Sequence, residues 1–169
     1  MKYHKNSNLN PKVLILGIGN LLLSDEGLGV HTIHLLQDRY EFPDNVTLCD
    51  GGTGGLSLLS EIKDKDYLYI IDALLVGEDP GTIVQFTYDA IPDNYVKKDT
   101  AHGIDLLDIL ISAQLIDELP PTTILGMQPA DISTPSLEMT LTISSNLDSL
   151  IGVLLNQLTK IGIKVEKKS

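Results

Sequence analysis

Short apolar runs alternate along this chain with longer stretches in which apolar residues recur at helical spacing. The runs that predict strands are residues 13–16, 46–49, 67–71, 82–88 and 122–127. The stretches that predict helices are residues 25–40, 56–63, a segment just after His102, and 135–160. Strands that alternate with helices predict an α/β fold, namely a three-layer α/β/α sandwich with a twisted, mostly parallel sheet of about five strands.

The connections refine this expectation. The run at 82–88 follows Asp72 after a segment too short for a crossover helix, which makes it the candidate for an antiparallel strand. Ser24 precedes the first helix and is expected to cap it, with Asp25 and Glu26 in the first turn. Residues 161–169 are expected to add a short strand.

Two helices carry a specific prediction about their faces. In the third helix the apolar face is predicted from helical spacing to be Ile104, Leu107 and Ile111. The last helix is predicted to start at Pro135 or Ser136, where proline suits a first turn, and to turn Leu137 and Leu141 toward the sheet.

Composition limits the class of protein. The chain has 169 residues, 43% of them hydrophobic, which suits one domain at 13–169 after a polar tail at 1–12. A formal net charge of -11 argues against nucleic acid and anionic membrane surfaces as partners. No signal peptide or membrane span is recognisable, and the single Cys49 excludes an internal disulfide, so a cytoplasmic protein with a buried, inert thiol is expected.

A glycine turn, Gly17-Ile18-Gly19-Asn20, separates the first strand from the first helix. Ligands of open α/β sheets bind at such junctions. A dinucleotide fingerprint needs a third glycine where Leu22 stands, and Asp25 and Glu26 would repel pyrophosphate. The acids at this junction therefore favour a cation over a nucleotide.

The ends of the next strands add further polar groups. Asp50 begins a second glycine turn at 50–55, which is either closely approached by a ligand or simply a tight turn. Asp72 ends the third strand, and His102 stands between a loop and a helix. Structural roles are open to both residues, since Asp72 can bond backbone and His102 can bond nearby carbonyl groups. His31 and His34 share a helix face but lack an evident third ligand, so they are interpreted as ordinary histidines.

Glu26, Asp72 and His102 can be considered as a set, because each stands at a junction of strand, loop and helix. Two carboxylates and one imidazole leave open positions on a divalent metal, and the nitrogen suits Zn²⁺ or Ni²⁺ better than Ca²⁺. Glu26 also has a role without any ligand, because an acid in a first helical turn is favourable. Spacing alone leaves both interpretations open.

Five motifs, in order, resemble those of the NiFe-hydrogenase maturation endopeptidases. They are GIGNLLLSDEGLGV at 17–30, DGGT at 50–53, DA at 72–73, T-x-H at 100–102 and G-x-x-P at 126–129. The resemblance extends from residue 13 to about 138, and order and spacing together make it specific. It implies the same sandwich fold. The chain differs in its longer N-terminal segment and in Ile132-Ser133-Thr134, where a Gly-Leu-Ser-like turn often occurs, which leaves substrate identity open.

The resemblance also implies an activity and a site. Members of this family remove a short C-terminal extension from the hydrogenase large-subunit precursor after nickel insertion. Their metal-binding and catalytic Glu, Asp and His correspond to Glu26, Asp72 and His102. The nickel is implied to come with the substrate, and other divalent metals are expected to substitute.

A hydrolytic mechanism follows as a hypothesis. Metal binding would bring the scissile peptide to the enzyme and polarise its carbonyl or a water molecule. The residues expected to bind the peptide are Asn20, Gly51, Gly52 and Thr53. A monomer is favoured. The alternatives are a non-catalytic accessory or chaperone of a hydrogenase and, less favoured, a nucleotide-binding domain.

Overall fold

A computed structural model describes residues 10–98 and 105–169 of the chain. Its main sheet has five strands in the spatial order β3–β1–β4–β6–β5. These strands are β1 Val13–Ile18, β3 Val46–Gly52, β4 Tyr67–Ala73, β5 Ile83–Thr87 and β6 Thr122–Met127. All neighbours are parallel except β5, which runs antiparallel to β6. The mostly parallel sheet and the antiparallel strand are both confirmed.

Helices cover both faces of the sheet. They are α1 Leu28–Arg39, α2 Leu59–Ile62, α3 Leu106–Leu115, α4 Leu141–Ser144 and α5 Leu147–Lys160. One apolar core lies between the sheet and α1 with α5, and a second lies between the sheet and α2 with α3. Side chains of β1 enter the two cores alternately, Val13 and Ile15 on one side, Leu14 and Leu16 on the other. The predicted three-layer sandwich is therefore confirmed.

Two short strands lie outside the main sheet. β2 (Tyr40–Glu41) pairs antiparallel with β7 (Glu166–Lys167). This pairing confirms the short strand expected near residue 169 and attaches the end of the chain to the end of α1.

The first helix begins differently from the expectation. A 3-10 turn, Ser24–Gly27, precedes α1, and the Ser24 side chain makes no capping hydrogen bond, so its predicted capping role is wrong. The backbone N–H groups of Ser24 and Asp25 instead donate to the carbonyls of Ser136 and Asp131, at 2.9 and 3.0 Å. Distant backbone therefore supplies the acceptors that a capping side chain would have provided.

The predicted apolar face of the third helix is correct only at Leu107, which is half-buried against the core. Ile111 is 46% exposed, whereas the residues buried in the core are Leu106, Ile109, Leu110 and Ala113. Asp105 and Asp108 form a capping box that starts the helix at Leu106. That start rotates the buried face away from the predicted one; Ile104 lies outside the described residues.

The single long helix expected over 135–160 is wrong as well. Residues 128–140 form irregular structure, and helix appears only at α4 and α5. Leu137 and Leu141 are 67% and 82% exposed instead of facing the sheet. The reason is a tertiary one, since buried Asp25 accepts hydrogen bonds from the backbone of this segment and holds it out of helical conformation.

The order of the strands places one crevice at the end of the sheet. From β1 the chain passes through α1 to β3 on one side of β1, then through α2 to β4 on its other side. The carboxyl ends of β1 and β4 therefore lie at the topological switch point, where open α/β sheets bind ligands. In the described parts of the chain, 10–98 and 105–169, no helix has the length and apolar character needed to cross a membrane.

Candidate active site

Glu26 reaches the switch point through a tight approach of backbone to backbone. Gly19, just after β1, has φ +141°, and a Cβ there would lie 1.9 Å from the Glu26 carbonyl oxygen. The Asn20 N–H donates to the same oxygen at 3.1 Å. Only glycine tolerates this contact, so residue 19 allows the Ser24–Gly27 turn to lie directly on the end of β1.

Asp72 is the penultimate residue of β4, and its side chain is fully buried. Its strand lies between β1 and β6, so its position is fixed by backbone ladders on both sides. The carboxylate lies at the end of the sheet next to that of Glu26, which is 9% exposed. Two residues 46 positions apart in the chain are thus brought together, as the strand-end argument predicted.

A lysine joins the two carboxylates. The Lys98 ammonium donates to Asp72 Oδ1 at 2.7 Å and to Glu26 Oε1 at 3.0 Å. Lys98 is itself only 7% exposed. Sequence reasoning missed this residue, because it lies in a polar, irregular stretch and its neighbour Lys97 has the same side chain but an exposed position.

One oxygen of each carboxylate accepts no hydrogen bond from the described residues. Glu26 Oε2 and Asp72 Oδ2 are buried and have no hydrogen-bond partner among residues 10–98 and 105–169. Buried polar atoms without partners are costly and rare in folded proteins. Two of them on adjacent carboxylates provide lone pairs for a ligand.

Burial, opposed by the charge of Lys98, dominates the electrostatics of the two acids. Loss of solvent raises the pKa of Asp72 to about 7, with Lys98 opposing the shift and Glu26 adding to it. Burial raises the pKa of Glu26 as well, again against Lys98. For Lys98, burial opposes the charged form, but attraction to Asp72 and Glu26 prevails and raises its pKa.

A cavity of about 120 Å³ opens over this group. Its lining residues are Ile18, Gly19, Glu26, Gly52, Thr53, Gly54, Gly55, Asp72, Lys98, Asp105, Leu106 and Ile109. One wall is the glycine turn (residues 52–55), and another is the start of α3. Charged groups thus lie beside walls of apolar side chains and glycine-rich backbone, an arrangement that suits an extended peptide.

The residues predicted to bind peptide divide into two pairs. Gly52, with φ +47°, and Thr53 line the cavity. Asn20 and Gly51 do not line it. The Asn20 side chain accepts the Leu22 N–H at 2.9 Å within its own turn, and Gly51 is buried where a Cβ would contact Leu16 at 2.8 Å.

The structure brings together only part of the predicted metal set. His102, like Thr100, lies outside the described residues. Within residues 10–98 and 105–169, no cluster of three histidine, cysteine or acidic side chains has the geometry of a metal site. Glu26 and Asp72 are therefore the two predicted ligands whose placement can be described, and the third remains a prediction.

Two other candidate residues, His34 and Cys49, are not among the residues that line the cavity. His34 Nε2 lies 2.9 Å from Asp50 Oδ2 on the surface, away from the cavity. Cys49 is half-buried rather than buried, which corrects the expectation. Burial and the nearby acids Glu61 and Asp50 raise the pKa of its thiol, which keeps it protonated and agrees with an unreactive cysteine.

The fold and the site define a doubly wound α/β protein with a buried acidic centre at its switch point. The chain belongs to the hydrogenase maturation protease family, whose model matches residues 30–157. That match includes Asp72 and His102 and begins four residues after Glu26.

Similar proteins agree in sequence and in fold. The hydrogenase 2 maturation protease of Escherichia coli K12 is 32% identical over 155 residues, covering 90% of this chain and 94% of that protein. The hydrogenase expression/formation protein HoxM of Azotobacter vinelandii is 36% identical over 155 residues, 90% of this chain and 75% of that protein. The structure of the hydrogenase maturating endopeptidase HybD from E. coli superposes with a TM-score of 0.83 at 31% identity, covering 93% and 98% of the two chains.

Proposed function

We propose that this protein is a cytoplasmic, monomeric endopeptidase that removes the C-terminal extension of a NiFe-hydrogenase large-subunit precursor after nickel insertion. Glu26, Asp72 and His102 bind the nickel that the precursor presents. Family membership supports the reaction class, and the names of two relatives, a hydrogenase 2 maturation protease and a hydrogenase maturating endopeptidase, support the substrate class.

One structural observation carries the proposed site. Glu26 and Asp72 are buried side by side at the switch point, each with a carboxylate oxygen that has no partner in the described chain. Carboxylate oxygens bind divalent metals at about 2.0–2.2 Å, and an imidazole nitrogen from His102 completes a set suited to nickel or zinc. Because the nickel belongs to the substrate, open coordination positions on the protein side are expected.

The cavity then positions the peptide. Three of the four residues of the turn at 52–55 are glycines, so an extended chain can approach its backbone closely. Gly52 and Thr53 lie on this wall, and Leu106 and Ile109 of α3 lie among the other lining residues. Nickel of the precursor, held by Glu26, Asp72 and His102, would polarise the scissile carbonyl, and the protein would supply the orientation of the peptide.

A covalent intermediate is not required. Among the described residues, the lining of the cavity includes no serine or cysteine. Cys49 is outside it, and Ser24 is held in a 3-10 turn by its backbone. Direct attack by water, with Glu26 and Asp72 holding the metal, is the mechanism that these residues support.

The test is the mass of a nickel-loaded large-subunit precursor before and after incubation with this protein. A discrete C-terminal loss that requires nickel supports the proposal, and the same precursor without nickel is the control. An unchanged mass with the two proteins bound to each other would favour a non-catalytic accessory role. The molar mass of the protein, measured by light scattering after size-exclusion chromatography, tests whether it is a monomer.

A further inference from the structure

The Lys98 ammonium lies against both carboxylates of the proposed metal site. It donates to Glu26 Oε1 at 3.0 Å and to Asp72 Oδ1 at 2.7 Å. A divalent ion bound to these two oxygens needs a position about 2.0–2.2 Å from each, so it has to displace the ammonium. An ion bound instead to Oε2 and Oδ2, which lack partners among the described residues, would lie on the same two carboxylates as the ammonium, and two cations so close in a buried site repel each other. In both cases the charge of Lys98 opposes binding of a metal.

Contacts of the two residues that precede Lys98 hold it in place. The Val96 N–H donates to the Leu75 carbonyl, just after β4, at 2.8 Å. Lys97 Nζ donates to Asp108 of α3 at 2.8 Å. Backbone and side-chain contacts of its neighbours thus direct Lys98 inward, so the contact with the carboxylates is built into the fold.

The charge of Lys98 is needed when no metal is present. Two adjacent buried carboxylates without a cation would be strongly unfavourable, and Asp105 contributes a third acid to the same cavity. In the described part of the chain, Lys98 is the cation that forms ion pairs with Glu26 and Asp72. Lys98 is therefore the protein's own counter-ion at a site that is proposed to bind the metal of the precursor.

We propose that Lys98 is a specificity-determining residue: a tethered cation that closes the Glu26–Asp72 site to free divalent metal and gives way when metal is presented by the protein substrate. This inference rests on the proposed function. A free ion must displace the ammonium with its own coordination energy alone. A metal held in a precursor adds the binding energy of the surrounding protein contacts, which favours displacement.

The first measurement is Ni²⁺ binding to the full chain by isothermal titration calorimetry. Lys98→Met removes the charge and keeps the length of the side chain, and Lys164→Met is the control, since Lys164 is exposed after α5 and is not among the residues that line the cavity. We expect Lys98→Met to bind Ni²⁺ at least tenfold more tightly than the wild type, and Lys164→Met to equal the wild type. The gain should disappear in Lys98→Met/Asp72→Asn, which locates it at the site.

Nickel affinity of folded Lys98→Met no higher than that of the wild type overturns the inference. If Lys98→Met is unfolded without metal, circular dichroism with and without Ni²⁺ decides: folding on addition of nickel supports the tethered-cation role. If nickel does not restore the fold, Lys98→Gln, whose amide still donates a hydrogen bond to a carboxylate, is titrated against the same control. Equal affinities of Lys98→Gln and the wild type then overturn it.

Failure of the inference about Lys98 can be distinguished from failure of the proposed peptidase function. Cleavage of the precursor by the wild type with no affinity gain in Lys98→Met removes the role of Lys98 and leaves the peptidase. Tighter nickel binding by Lys98→Met with no cleavage of any precursor by the wild type leaves a guarded metal site and removes the reaction.

Discussion

Asp25 and Thr140 are joined by three hydrogen bonds although 115 residues separate them. The Thr140 N–H donates to Asp25 Oδ1 at 2.8 Å, and its hydroxyl lies 3.0 Å from both carboxylate oxygens. Ala130 and Asp131 donate their N–H groups to Asp25 Oδ2 at 2.9 Å. Asp25 is fully buried, so this one carboxylate fixes the turn that carries Glu26 against the loop after β6.

Replacing Asp25 by alanine is expected to lower the free energy of unfolding by about 3 kcal/mol, because several buried donors lose their acceptor. The measurement is urea unfolding followed by circular dichroism. Asp148→Ala is the control, since Asp148 is 83% exposed in its pair with Arg39 and should change stability by less than about 1 kcal/mol. Equal effects of the two substitutions would contradict the anchoring role of Asp25.

Replacing Asp72 by asparagine is expected to reduce precursor cleavage by about 100-fold or more while the protein stays folded. The amide has the same shape but lacks the charge that binds a metal. Asp50→Asn is the matched control, because Asp50 also lies near the end of a strand, β3, but pairs with His34 on the surface. The assay is the mass of the nickel-loaded precursor over time. Full processing by folded Asp72→Asn would refute the ligand assignment.

The stability of the protein should depend on pH through Asp72. Burial raises its pKa to about 7, against the Lys98 charge, from an ordinary value of 3.8. Between these values the folded state keeps a proton that the unfolded state has released. The stabilisation is therefore complete below about pH 4 and is lost as pH rises through about 7.

The measurement is the free energy of unfolding of the wild type relative to Asp72→Asn from about pH 4 to about pH 9. The difference should fall as pH rises and level off above about pH 8, with a slope no steeper than about 1.4 kcal/mol per pH unit, the limit for one proton. A difference that rises with pH would mean that attraction to Lys98 outweighs burial, and that the pKa of Asp72 is lowered.

Two helical glycines should respond to alanine with opposite signs. A Cβ on Gly29 of α1 would lie 2.2 Å from the Ile71 carbonyl oxygen, so Gly29→Ala should cost about 3 kcal/mol or prevent folding. A Cβ on Gly152 of α5 meets no atom within 4 Å, so Gly152→Ala should stabilise by about 0.5–1 kcal/mol. Thermal unfolding of both variants checks the pair. Tolerance of Gly29→Ala would show that α1 can move away from the sheet.

The glycine that lets α1 pack closely on the sheet is not the one that a dinucleotide fingerprint would use. A dinucleotide fingerprint places its third glycine where this chain has Leu22, which is 63% exposed. The close contact between helix and strand is made instead at Gly29, against β4. Leu22 argues against the fingerprint because it stands where the third glycine is needed. Sequence reasoning did not recognise that Gly29 provides the close packing which that third glycine would have provided.

Helix boundaries were harder to predict than strands, for a physical reason. Strands buried on both faces, here β1, β4 and β6, read as apolar runs, and the less buried edge strands β3 and β5 were also recognised. The starts of α1 and α3 and the break before α5 depend on which hydrogen-bond acceptors meet their ends. For α1 and the 128–140 segment these acceptors come from residues more than 100 positions away, which no local pattern can show.

The sequence by itself determined the alternation of strands and helices, the antiparallel β5 and the motifs that identify the family. It also placed Glu26 and Asp72 at the same edge of the sheet, because strand ends are recognisable from apolar runs. Only the tertiary structure decided what those carboxylates meet. Lys98 resembles its neighbour Lys97 in sequence, but the contacts of Val96 and Lys97 direct it into the cavity, where its charge balances two buried acids. A side chain's partner depends on the path of the chain around it, and that path is set by the packing of the whole domain.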